Sequence, residues 1–391
     1  MFKFSDILPF SSSEFYLFIA FSIALIFASK YVLRGKIAYQ NIIFTISFLY
    51  LILLFPKPIH FITFTLYGFF IFKFLGRKKQ MGGIFIVLLY VLPLILMKLT
   101  HVIPVFKLEK SLISIIFQIA GLSYATFKMI QIHIDERESD EKISFVNYFN
   151  FIAFTPTLLI GPIDRFARFQ KNINQGFANL NQENFNKGLE FIMKGLLYKY
   201  IFAYAIFTLF INHLDASNGF LYHLSYMYSY LIYLFFDFAG YSLLAMGFGY
   251  MLGIQVPFNF DKPFLAQNPK EFWHHWHKTL GDWLNDYFFK PIFKDLTTRK
   301  VFTSIQRQSL ALFLTFTLMG FWNGFEIHYI LSGVLFGIYS MGHNYYAYLC
   351  KKNGKDVVFG KLNSTAIKYI SIFLMFNSVA FAIYIFSGKL F

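Results

Sequence analysis

Runs of about 20 apolar residues, separated by short polar connections, recur along almost the whole chain. That is the length a helix needs to cross the hydrocarbon core of a bilayer. Of the 391 residues 57% are apolar, and only 14% are charged, about half the charged share of an ordinary soluble domain. A water-soluble globule of this length could not cover so much apolar surface. The pattern predicts an all-α integral membrane protein. Spans are expected near residues 14–33, 40–56, 58–75, 83–99, 111–133, 146–162, 189–213, 219–236, 238–254, 308–325, 327–347 and 367–388. These are about eleven or twelve transmembrane or re-entrant helices. No repeat period is visible and no polar stretch is long enough to fold alone, so residues 1–391 read as one integral membrane domain.

The formal charge of +15 suits basic loops against anionic headgroups, with the lipid bilayer as the main partner. Short basic segments stand at residues 76–79, 294, 299–300 and 351–352. No long basic run is present, so nucleic acid is not an expected partner. The acidic connection 135–142 reads as a solvated loop. A single cysteine, Cys350, excludes an intrachain disulfide and a cysteine metal cluster. The first apolar run, 15–32, is followed by basic residues and not by a small-residue cleavage site, so it reads as a retained span.

Polar groups at membrane depth are costly and point to sites. Asp237 lies inside LIYLFFDFAGYSLLAMGFGYMLG, among small residues that let helices approach closely. It is expected to anchor a hydrogen-bond network or line a cavity. In TPTLLIGPIDRFARF the prolines 156 and 162 break a span, and Asp164 and Arg165 follow at once, placed to lock the turn. Residues 164–187 and 259–308 are too polar to face lipid unprotected.

The stretch EFWHHWHKTLGDW carries His274, His275 and His277. A helix starting near Pro269 would place Trp273, Trp276 and His277 on one face. The HExxH spacing of a metal site is absent, and no metal is expected. In LMGFWNGFEIHYILSG, Trp322, Asn323 and Gly324 end an apolar run, and His328 comes just after. Presented to one cavity, His277 and Asn323 would form a polar pair suited to taking a proton from a hydroxyl.

Three stretches together resemble the membrane-bound O-acyltransferase family: PTLLIGPIDRFARF, the long block FFDFAGYSLLAMGFGYMLGIQVPFNFDKPFLAQNPKEFWHHWHKTLGDWLNDYFF, and LMGFWNGFEIHYILSG. The likeness is densest over residues 147–342 and nearest to the D-alanyl transfer branch. It implies a helical membrane fold with a protein-lined tunnel in the cytoplasmic membrane. It also implies a thioester donor and a hydroxyl acceptor on a teichoic-acid-like or other cell-envelope polymer. In that branch a small acidic carrier protein brings D-alanine on a phosphopantetheine arm, so no tightly bound cofactor is expected. The FWxxWHxSL motif falls on His277, making it the catalytic candidate. Asp237, Trp273, Trp276, Trp322, Asp164 and Arg165 are carried over as tunnel or supporting residues.

The chain departs from the family pattern where WHG is usual, since Asn323 holds the histidine position. Phe336 and Ser332 also replace a usual histidine and tyrosine. An amide cannot act as a general base near neutral pH. Three arrangements stay open. His277 is the base and Asn323 positions the acyl carbonyl or hydroxyl; or His328 supplies the imidazole, which requires the helix to break at Gly324; or the chain is a scaffold without transfer activity. An O-acetyltransferase for a surface polysaccharide is the alternative enzyme. A transporter fits the polar breaks but would be expected to show repeated halves.

Overall fold

A computed structural model of the chain describes residues 10, 12–55, 58–75, 83–102, 121–136, 143–215, 219–354 and 364–391. The basic segment 76–79, most of the acidic connection and the start of the span expected at 111–133 lie outside them. Among the described residues the regular structure is helical, with no strand. Five helical runs are long and apolar enough to cross a membrane: Ser13–Tyr31, Pro58–Leu75, Gln182–His213, Phe220–Met251 and Thr365–Phe386. Tyr39–Leu54 and Ile84–Leu99 are shorter apolar helices.

One expectation about the spans is corrected, and the proline break expected in another is located. The runs at 219–236 and 238–254 are one continuous 32-residue helix, Phe220–Met251. No proline interrupts it, and its internal charge at Asp237 is matched by an ion pair. The run at 146–162 is not a continuous span. Its helix, Phe145–Ala153, stops before Pro156 and gives way to a single tight turn, Thr155–Thr157, then irregular chain up to Phe166. Proline lacks the amide a continuing helix would use. The runs at 308–325 and 327–347 do form helices, Ser304–Asn323 and Ile327–Lys352, although neither is among those five.

The chain divides into two compact units, Met1–Leu196 with Gly240–Pro257, and Leu197–Ala239 with Phe258–Phe391. In the first, the helix Gln182–Leu196 meets the Gly240–Met251 part of the long helix backbone to backbone. A Cβ on Gly188 would lie 2.9 Å from the Gly247 carbonyl oxygen, and one on Gly195 would lie 2.9 Å from that of Gly240. Small residues at helix crossings are what association in lipid requires, since apolar burial gives little drive there. The proline break is held from inside by Lys128, which is 1% exposed. Its Nζ donates to the Ile152 carbonyl (3.4 Å) and to the Thr157 carbonyl and hydroxyl (both 3.3 Å). A helix end exposes carbonyls with no partner of their own, and Lys128 serves those left by the break.

In the second unit, Ser304–Asn323 and Ile327–Lys352 form a tight helical hairpin. Thr303 starts it with a capping box, its hydroxyl bonded to the Gln306 amide and the Gln306 side chain returned to the Thr303 amide. Gly333 sits at the crossing, where a Cβ would come within 2.6 Å of the Phe316 carbonyl oxygen and 2.8 Å of the Gly320 Cα. Neither contact can be relieved by a side-chain rotation. Gly333→Leu is therefore expected to separate the two helices. Overpacking of this kind costs about 1–3 kcal/mol or more. Purified variant in detergent should unfold at a clearly lower temperature; unchanged unfolding would show that the crossing is looser than the geometry indicates.

Candidate functional site

His277 lies in the second unit at a break between two short helices, Pro269–His275 and Lys278–Leu284. This corrects the single helix expected there. Trp276 is extended and His277 adopts left-handed backbone angles, φ 44° and ψ 46°. A non-glycine residue in that region costs about 1–3 kcal/mol unless its surroundings impose it. Here two backbone hydrogen bonds tie the turn to a neighbouring extended segment. The Asp261 amide donates to the His275 carbonyl (3.0 Å), and the Lys278 amide donates to the Asn259 carbonyl (2.9 Å).

The break separates residues that a regular helix would have kept together. Trp273 packs on Phe316 (5.1 Å between ring centres) and Phe336 (4.9 Å). Trp276 is 4% exposed and packs on Phe260 (5.3 Å) and Phe272 (5.5 Å). His277 is covered by Phe238, edge to face at 4.6 Å, and more distantly by Phe260. Only 9% of His277 is exposed. Burial pushes the imidazole pKa well below its ordinary value, because a charged ring would lose hydration. The ring is thus neutral at physiological pH and able to accept a proton. Its Nδ1 lies 3.1 Å from Oδ1 of Asn259. The same oxygen accepts the Thr279 hydroxyl (2.8 Å) and backbone amide (3.2 Å).

The structure does not join His277 to Asn323. Asn323 is the last residue of its helix and is exposed, and its side-chain amide donates to the Met319 carbonyl one turn back (2.8 Å). Gly324 then extends the chain, so the helix does break where use of His328 would require it. His328 lies in the first turn of the next helix against the Tyr329 ring, 4.1 Å between centres. Trp322 is half-buried beside these residues in sequence. Phe336 and Ser332 face inward, the Ser332 hydroxyl donating to the Ala382 carbonyl (2.9 Å).

Asp237 forms an ion pair with Lys199, so the network it anchors is built on a cation. Lys199 lies in a π-helical stretch, Leu197–Ala203, where one extra residue per turn re-aims side chains. In the first unit, Asp164 is 5% exposed. Its Oδ1 accepts the Arg165 backbone amide and Nε of Arg168, both at 2.6 Å. The turn lock expected of Asp164 and Arg165 thus draws in Arg168, four residues on. Sequence reading missed Asn259, Thr279, Lys199, Arg168 and Lys128. Asn259 did stand in a quoted motif, NFDKPF, but its partners are 18 and 20 residues away.

The sequence model of MBOAT, the membrane-bound O-acyltransferase family, matches residues 3–386. The chain is 35% identical to the teichoic acid D-alanyltransferase of Bacillus subtilis, over 96% of this chain and 98% of that one. It is also 35% identical to the teichoic acid D-alanyltransferase of Streptococcus thermophilus, over 77% and 74% of the two chains. A more partial likeness, 33% identity over 53% of this chain and 39% of the other, joins it to the peptidoglycan O-acetyltransferase of Helicobacter pylori.

Proposed function

Because this chain belongs to the membrane-bound O-acyltransferase family, we propose that it moves D-alanine from the phosphopantetheine thioester of a small acidic carrier protein to a hydroxyl of a teichoic-acid-like cell-envelope polymer, at the cytoplasmic membrane. That it is a membrane O-acyltransferase follows from the family itself. The nearly end-to-end likeness to a teichoic acid D-alanyltransferase carries the finer reading. The net charge of +15 supports it, since a basic protein steers an acidic carrier into contact.

His277 acts as the general base. Its unprotonated ring nitrogen takes the acceptor hydroxyl proton as the oxygen attacks the thioester carbonyl. The C–O ester bond forms, the C–S bond breaks, and the proton passes from the imidazolium to the departing thiolate. Asn323, with its amide, is a donor for the acyl oxygen or the hydroxyl, provided substrate draws it off the Met319 carbonyl. The thioester arm reaches the base through a protein-lined tunnel, with Trp273, Trp276 and Trp322 among its walls. Asp237 supports this unit through Lys199. Asp164 and Arg165 shape the other.

The second reading, O-acetyl transfer to a surface polysaccharide, draws on the peptidoglycan O-acetyltransferase likeness. It is the weaker one because that likeness spans about half of this chain. The test is transfer of labelled D-alanine from loaded carrier protein to polymer in membranes containing the chain. Transfer above control membranes is expected. Transfer of labelled acetyl groups in its place would select the second reading. If neither label moves until Asn323→His is introduced, the natural chain is a scaffold that has lost the reaction.

A further inference from the structure

Asn259 grips the His277 turn twice. Its main-chain carbonyl accepts the Lys278 amide (2.9 Å), and its side-chain oxygen faces Nδ1 of His277 (3.1 Å). Which end of an asparagine amide points where is ordinarily ambiguous, but the partners decide it here. The Thr279 backbone N–H, 3.2 Å away, can only donate, so the atom it meets must be the amide oxygen. That same oxygen faces Nδ1, which must therefore carry the hydrogen. A neutral imidazole has one N–H, so the lone pair is on Nε2. We infer that Asn259 is a positioning residue for acyl transfer, holding His277 as the Nδ1–H tautomer so that Nε2 is the nitrogen that takes the acceptor proton. This rests on the reading of His277 as the base.

The choice of an amide over a carboxylate has a consequence. A carboxylate at this place would stabilise the imidazolium and raise its proton affinity, whereas the amide gives the same geometry without charge. Four of the charged groups on the surrounding elements have partners of their own, and Lys262 and Lys270 are exposed. Asp237 pairs with Lys199, Lys278 with Asp282, and Asp261 lies 3.7 Å from His275. Glu271, on the Pro269–His275 helix, bonds Asn268 and the Gln267 amide. Burial is then what sets the ring's affinity. With its pKa held below the ordinary value, the ring keeps its base form as pH falls through the range where a free histidine becomes charged.

The decisive variant is Asn259→Asp, which preserves shape and the bonds accepted by Oδ1; Asn259→Ala removes them. Histidine NMR on isotope-labelled protein in detergent, with the His277 signal assigned by its loss in His277→Asn, reads tautomer and titration without any reaction. D-alanyl transfer followed from about pH 8 downward, past the range where a free histidine becomes charged, reads the base. Expected are an Nδ1–H ring in the natural protein, a titration moved to higher pH by Asn259→Asp, and an acid limb of the transfer rate moved with it. Asn259→Ala should lower kcat by about 10- to 100-fold, as loss of an orienting partner typically does. An Nε2–H ring, or a titration that Asn259→Asp leaves in place, overturns the inference even if transfer is robust. A shifted titration with an unmoved acid limb removes His277 from the chemistry, and with it the reading on which the inference stands.

Discussion

His277→Ala is expected to abolish acyl transfer, by about 100- to 10,000-fold, the usual contribution of a positioned general base. Alanine alone would leave the result ambiguous, because residue 277 is left-handed and alanine enters that region poorly. His277→Asn resolves this. Asparagine adopts left-handed angles more readily than other non-glycine residues, so the turn should keep its shape while the imidazole is gone. Both variants should be inactive in membranes, with His277→Asn matching the natural protein in expression and thermal unfolding. His328→Ala, in the next helix against Tyr329, should retain its rate within about twofold, as a residue outside the reaction would. If His277→Asn transfers at the natural rate while His328→Ala does not, the base is the second histidine.

Asp164→Asn should produce the largest loss of stability. Asp164 and Lys128 are almost fully buried and line the same small void with Thr157 and Phe151. The carboxylate takes two short hydrogen bonds from Arg165 and Arg168 through one oxygen. Its other oxygen has no hydrogen-bond partner among the described residues. Neutralising it leaves the buried lysine without its nearest negative charge. Removing one partner of a buried pair typically costs about 3–5 kcal/mol. Lys128→Met should also destabilise, through the loss of its three bonds to the proline break. The double variant should lose less than the sum of the two, because no buried lysine is then left without its carboxylate. Thermal unfolding of the four proteins in detergent measures this. Strict additivity would mean that the two groups do not sense each other.

The helical membrane class, the break at Pro156 and the break at Gly324 were legible because each depends on local chemistry. Apolar run length, the missing proline amide and glycine's poor helix propensity act within a few residues. His277 was also legible as a candidate, through the motif it shares with a family. Its geometry was not. A helical reading placed Trp273, Trp276 and His277 on one face, but the chain turns left-handed at 277 because strained backbone there is held by residues 259–261. Nor could the sequence say that 219–254 is one helix. The charge inside that helix, Asp237, is met by Lys199, which lies 38 residues away.

By itself, then, the sequence determined that this chain lives in a bilayer and which acyl-transfer family it joins. Those conclusions rest on composition and on short motifs, which survive without any knowledge of partners. Only the tertiary structure decided that Asn259 faces the His277 ring, that Lys199 pairs with Asp237 and that Asn323 turns onto its own helix. The His277–Asn259 contact and the Lys199–Asp237 pair join groups 18 and 38 residues apart. A buried polar atom must find some partner, but nothing local to it says which of many candidates the fold brings within 3 Å.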